Sequence, residues 1–164
     1  MKKGLINIYY GEGKGKSTAS LGRALVSASE GKEVFIIQFL KGRLPGNLNY
    51  LKCLEPDVKI FRFEKLDAFY EDLSKEEQQD EISNILNGVH FAKKVLTIGE
   101  CDLLILDEIL GLVDLGIIDV QEVLRMIEAK PDDMELILTG RNLPEELKDA
   151  ADYISCIGIV KNTN

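Results

Sequence analysis

Along this chain, short apolar runs alternate with longer segments in which apolar residues return every three or four positions. The runs 5–10, 33–40, 58–63, 103–106, 135–139 and 153–160 have the length of strands, and most are apolar throughout, as strands covered on both faces should be. Between them lie helical patterns with recognisable starts. Ser74 followed by Glu77 makes a capping box, and Ile82, Leu86, Val89 and Leu96 then form one apolar face. Asp119 with Glu122 opens a second helix by the same device. A third helix is predicted over 17–30, ending at Gly31, a residue that tolerates a left-handed cap. Pro144 suits the first turn of a short helix before Asp152. Alternation of this kind predicts an α/β fold in three layers, a mostly parallel six-stranded sheet with helices on both faces.

Composition narrows the picture. A length of 164 residues, 45% hydrophobic and 29% charged, fits one soluble globular domain over 1–164, and no repeat, low-complexity tract or linker divides it. Against 28 Asp and Glu stand 20 Lys and Arg, a net charge of −8. Partners held by a broad positive field, nucleic acid or an anionic membrane, are therefore not expected, and any anion must be bound locally. Cys53, Cys101 and Cys156 are odd in number and widely spaced, which reads as small buried hydrophobes in a reducing compartment. No run approaches a membrane span and no signal sequence precedes 5–10, so a cytoplasmic location is expected. The segment 41–51, with Gly42, Pro45, Gly46 and two Asn, reads either as a mobile loop at the carboxyl edge of the sheet or as an ordinary connection.

The chemistry concentrates after the first run. Gly11, Glu12, Gly13, Lys14, Gly15, Lys16, Ser17 and Thr18 follow a strand and open a helix, the setting of a P-loop. Glycines let backbone N–H groups turn around phosphate oxygens, and the helix N-terminus adds the positive end of its dipole. Lys16 supplies a full charge, and the Ser17 hydroxyl is a ligand for Mg²⁺. The pattern is a variant, because Tyr10 holds the place of its usual first glycine. A second apolar run ends in Asp107 and Glu108, a Walker B arrangement in which Asp107 serves the metal and Glu108 orients water or polar substrate atoms. A third run ends in Thr139, Gly140, Arg141 and Asn142. If the sheet is parallel, Arg141 emerges at the phosphate edge, where a guanidinium can hold phosphate oxygens; the alternative is a surface arginine beside a capping Asn142. His90, the sole histidine, falls on a helix surface.

Four segments carry a resemblance over nearly the whole chain: 11–19, then Gln38 to Gly42, then Leu106, Asp107 and Glu108 with 115–119, then 138–142 with Pro144. In this order and spacing they resemble the P-loop-type ATP:corrinoid adenosyltransferases, also called cob(I)alamin adenosyltransferases. The resemblance implies a RecA-like P-loop NTPase sheet, a homodimer, and transfer of the 5′-deoxyadenosyl group of ATP to the cobalt of a reduced corrinoid, with release of triphosphate. It implies ATP and a corrinoid as substrates and Mg²⁺ or Mn²⁺ as cofactor. Gly11, Glu12, Gly13, Lys14, Gly15, Lys16, Ser17, Thr18, Lys41 and Arg141 would bind nucleotide, Ser17 and Asp107 the metal, and Lys16, Asp107, Glu108 and Arg141 would serve catalysis. The family's aromatic segment ahead of its long helix is absent here, and Phe69 and Tyr70 are the available substitutes. Two other functions fit the same loop, a P-loop ATPase or phosphotransferase with Glu108 positioning water, and a non-catalytic ATP-binding regulatory module.

Overall fold

Six strands pair side by side in the order β3-β2-β4-β5-β1-β6, every pair parallel, in a computed structural model that describes residues 3–41 and 51–164. They are β1 (Ile6–Tyr10), β2 (Val34–Gln38), β3 (Val58–Arg62), β4 (Leu103–Asp107), β5 (Glu135–Gly140) and β6 (Tyr153–Cys156). Four α-helices connect them among the described residues: α1 (Lys16–Ser29), α2 (Lys75–Ile98), α3 (Ile109–Asp114) and α4 (Val120–Ala129). The expected segment 41–51 lies outside the described residues except at its two ends.

Successive strand residues point to opposite faces, and the two faces have different covers. Val34, Ile36, Leu103, Ile105 and Ile137 pack beneath α1 through Leu21, Ala24 and Ala28. Their neighbours Phe35, Ile37, Leu104, Leu106, Leu136 and Leu138 face Ile85, Val89, Leu96, Leu110 and Met126 from α2, α3 and α4. Because β5 and β4 lie between β1 and β2, the crossover carrying α1 runs over the middle of the sheet and touches five strands.

Helix ends follow their sequence signals closely. Ser74 accepts the Glu77 N–H while the Glu77 carboxylate accepts the Ser74 N–H, and α2 closes on Gly99 at φ 75°. Gly31 lies at φ 80° past the end of α1. Asp119 caps α4 through the Glu122 N–H, but the Glu122 carboxylate turns to Arg125 at 2.5 Å and to Lys93 of α2. That cap is therefore one-sided. Pro144 precedes a 3-10 turn, Glu145–Leu147, whose Leu147 is fully buried.

The structure departs from the sequence pattern in three more places. The last strand is shorter than 153–160, and its residues are exposed, because β6 pairs only with β1 at the sheet edge. Cys101 is buried, whereas Cys53 and Cys156 are exposed. Helix α3 was not anticipated: Ile109, Leu110, Gly111 and Leu112 are all buried, so this segment has no polar face to display a helical period. Among the described residues, no helix is long and apolar enough to cross a membrane.

Candidate active site

With every strand parallel, the ends of β1, β4 and β5 fall on one edge of the sheet. Tyr10 pairs with Gly140 across β1 and β5, and Leu106 pairs with Leu138 across β4 and β5. The edge thus gathers the 11–18 loop, the Asp107-Glu108 pair and the Thr139-Gly140-Arg141 tip, as the sequence motifs required. Ligands of open parallel sheets bind at such carboxyl edges.

Within the loop, Gly11 lies at φ 126°, and a Cβ there would sit 2.2 Å from the Ile157 carbonyl oxygen. Only glycine fits. Its N–H is donated to the Gly140 and Arg141 carbonyls at 3.2 and 3.0 Å, and the Gly13 N–H to the Ile157 carbonyl at 2.8 Å. Gly11 and Gly13 therefore shape the loop against β5 and the chain after β6, instead of turning their N–H groups toward phosphate. The donors for an anion lie further on. Gly15, at φ 112°, is the N-cap of α1 and supplies no capping side chain, so the N–H groups of Lys16, Ser17 and Thr18 have no partner within the helix. The first helical bond is Ala19 N–H to the Gly15 carbonyl at 2.8 Å. Lys16 is buried, its ammonium donating to the Gly13 carbonyl at 2.9 Å, while Glu12, Lys14 and Thr18 are exposed.

Asp107 is the centre of the polar network. Its carboxylate is 1% exposed, with Oδ1 accepting from Ser17 Oγ at 3.0 Å and from Thr139 Oγ1 at 2.7 Å. Oδ2 accepts from the Lys41 ammonium at 2.5 Å, and the same ammonium contacts Ser17 Oγ. Thr139 Oγ1 also accepts the Glu108 N–H at 2.8 Å, which holds Glu108 at a left-handed φ of 64°. Burial pushes the Glu108 carboxyl above the usual range, and the neighbouring Asp107 charge adds to it, against Lys41, Lys16 and Arg141. Beside this network opens a cavity of about 490 Å³, lined among others by Leu40, Lys41, Phe69, Glu108, Arg141 and Asn142. Phe69 is well exposed there, while Tyr70 is buried in the core. Asn142 is tied to Asp114 at 3.0 Å. His90 is exposed on α2, as its sequence position predicts.

Two residues without an assigned role in the sequence reading matter here. Thr139 is a polar side chain directly after the buried apolar run Leu136, Ile137 and Leu138, which is the one signal that could have marked it. Glu64 follows β3 and accepts the Leu40 N–H at 2.8 Å, fixing a residue at φ 66° immediately before Lys41. Among the described residues, no group of three His, Cys, Asp or Glu side chains could hold a metal. The donor set that does fit a cation is Ser17 Oγ with the Asp107 carboxylate, hard oxygens suited to an ion that keeps water and substrate phosphate as its other ligands.

The chain matches the ATP:corrinoid adenosyltransferase BtuR/CobO/CobP family over residues 2–163. It is 30% identical over 161 residues to a corrinoid adenosyltransferase of Salmonella typhimurium, covering 98% of this chain and 80% of that protein. A corrinoid adenosyltransferase of Escherichia coli K12 is 28% identical over the same shares of the two chains. A third, from a Sinorhizobium species, is 30% identical over 98% of this chain and 75% of its own. A match that runs from one end of the described fold to the other includes the loop, the paired carboxylates and the Arg141 tip, and on it the chain belongs to the ATP:corrinoid adenosyltransferase family.

Proposed function

We propose that this protein transfers the 5′-deoxyadenosyl group of ATP to the cobalt of a reduced corrinoid, releasing triphosphate. One observation carries the assignment to this edge of the sheet: Ser17 at the head of α1 and Asp107 at the end of β4 meet 3.0 Å apart, beside a cavity that also takes Lys41, Glu108 and Arg141. The triphosphate would lie along the N–H groups of Lys16, Ser17 and Thr18, with the Lys16 ammonium as counter-charge. Ser17 and Asp107 would hold Mg²⁺ or Mn²⁺, which supplies charge neutralisation of the phosphate oxygens. Arg141 would engage a further phosphate oxygen from the cavity side.

In this reaction the cobalt electron pair forms a bond to C5′, the C5′–O bond breaks, and triphosphate departs with its electrons. The nucleophile brings no proton, so no general base is needed. What remains for the protein is to fix the geometry and stabilise the leaving group. Lys16, Arg141 and the helix N-terminus do this at one end of the nucleotide. The cavity lined by Phe69, Glu108 and Arg141 would receive the corrinoid, with C5′ turned toward it and the triphosphate lying back toward the loop. On the family resemblance the enzyme works as a homodimer.

Phosphorus NMR decides the reaction. With MgATP and a chemically reduced corrinoid, the expected product is intact triphosphate together with a light-sensitive carbon-cobalt species. ADP and orthophosphate with no triphosphate would replace this reading with a hydrolase in which Glu108 positions water. Binding of MgATP with no turnover would leave a regulatory nucleotide-binding module.

A further inference from the structure

The Lys41 ammonium stands between the two side chains that fit a divalent cation. It lies 2.5 Å from Asp107 Oδ2 and in contact with Ser17 Oγ, while Ser17 Oγ is itself 3.0 Å from Asp107 Oδ1. A Mg²⁺ ion sits about 2.1 Å from each of its oxygen ligands. An ion bound by both Ser17 and Asp107 would therefore occupy the volume that the ammonium nitrogen holds. The two cations exclude each other by size and by charge.

Asp107 is almost fully buried, and a buried carboxylate without a cationic partner is strongly disfavoured. Thr139 and Ser17 supply hydrogen bonds but no charge. Lys41 supplies the charge, and its side chain is only 18% exposed in doing so. The same side chain lines the cavity that holds Glu108 and Arg141, so it has somewhere to go. The residue before it is anchored: the Leu40 N–H is held by Glu64 at 2.8 Å, and the Leu40 carbonyl accepts the Tyr70 N–H at 3.4 Å. A long, flexible, unbranched stem beside an anchored residue lets the ammonium move without the chain before it.

We propose, building on the reading of Ser17 and Asp107 as the metal site, that Lys41 is a built-in counter-cation of that site, and that a divalent metal binds only by displacing it into the neighbouring cavity. Metal loading and the charge of the second-substrate cavity are then linked. The ammonium that leaves Asp107 arrives beside Glu108, on the wall the corrinoid is proposed to face. Lys41 is in this respect a positioning residue, whose charge acts at one place before loading and at another after it.

The test needs neither nucleotide nor corrinoid, so it is independent of whether the adenosyl transfer takes place. Mn²⁺ binding to the protein alone is followed by the paramagnetic resonance signal of the unbound ion, for wild type, Lys41→Met, and Lys41→Met combined with Asp107→Asn. Removing the competing ammonium should tighten Mn²⁺ binding by about tenfold or more, the size of a charge-assisted contact. Asp107→Asn should abolish that gain. Affinity in Lys41→Met equal to or weaker than wild type overturns the proposal, as does a gain that survives Asp107→Asn or an absence of detectable binding in every form. A second measurement uses the unmodified chain. Lysine acetylation read by mass spectrometry should label Lys41 several-fold faster when Mn²⁺ is added, and an unchanged or slower rate is equally fatal.

Discussion

Thr139 carries more of the site than its size suggests, and replacing it by valine tests that directly. The substitution keeps the shape and the β-branched preference of a central strand, so strand propensity does not oppose it. It deletes one hydroxyl that donates to Asp107 Oδ1 at 2.7 Å and accepts the Glu108 N–H at 2.8 Å, at a position with no solvent exposure. Asp107 keeps Ser17 and Lys41, so the lost bond to a charged acceptor falls near the lower end of its range, about 1.5 kcal/mol. The Glu108 N–H is left without its acceptor, which adds about 1 to 3 kcal/mol. The expected destabilisation is therefore about 2.5 to 4.5 kcal/mol. Thr139→Ser, which keeps the hydroxyl and loses one buried methyl, should cost only about 1 kcal/mol. Urea unfolding reads both as midpoint shifts at constant slope. The reasoning fails if Thr139→Val unfolds within about 0.5 kcal/mol of wild type, or if serine is as damaging as valine, because either result would mean the hydroxyl is not what holds Asp107 and Glu108.

Two further outcomes are expected. Lys16→Ala should weaken MgATP binding by about tenfold to a hundredfold, the worth of one charge-assisted phosphate contact, and unchanged affinity by titration calorimetry would remove the phosphate-loop assignment. Burial pushes the Cys101 thiol up to about 12. A raised acid leaves the fold's stability intact below the unfolded thiol's range and erodes it as pH rises toward the folded value, by about 1.4 kcal/mol per pH unit above pH 9. The difference in unfolding free energy between wild type and Cys101→Ala should therefore shrink with that slope above about pH 9, and a difference constant with pH contradicts it.

Local signals carried the sequence reading a long way. Apolar runs of strand length placed all six strands, most plainly β2, β4 and β5, whose residues are buried on both faces of the parallel sheet and show no polar alternation to confuse the pattern. Ser74 with Glu77, and Gly31, placed helix ends through bonds that span only a few residues. The place of the 11–18 loop and of Asp107 at the carboxyl edge was legible because each directly follows or ends a strand that the apolar pattern marks. Helix α3 escaped because burial on every side removes its period, and the exposure of β6 escaped because an edge strand differs from a central one only in what lies beside it. Tertiary structure alone decided the rest. Sequence separates Gly13 from Ile157, Thr139 from Asp107, and Lys41 from Ser17 by many residues, and only the strand order β3-β2-β4-β5-β1-β6 brings each pair into contact. That order holds the Gly11 and Gly13 N–H groups on the carbonyls of Gly140, Arg141 and Ile157, makes Thr139 a clamp between Asp107 and Glu108, and sets the Lys41 ammonium between Ser17 and Asp107. Hydrogen bonds and charge pairs act over a few ångströms, so what they do is written in the neighbours the fold supplies.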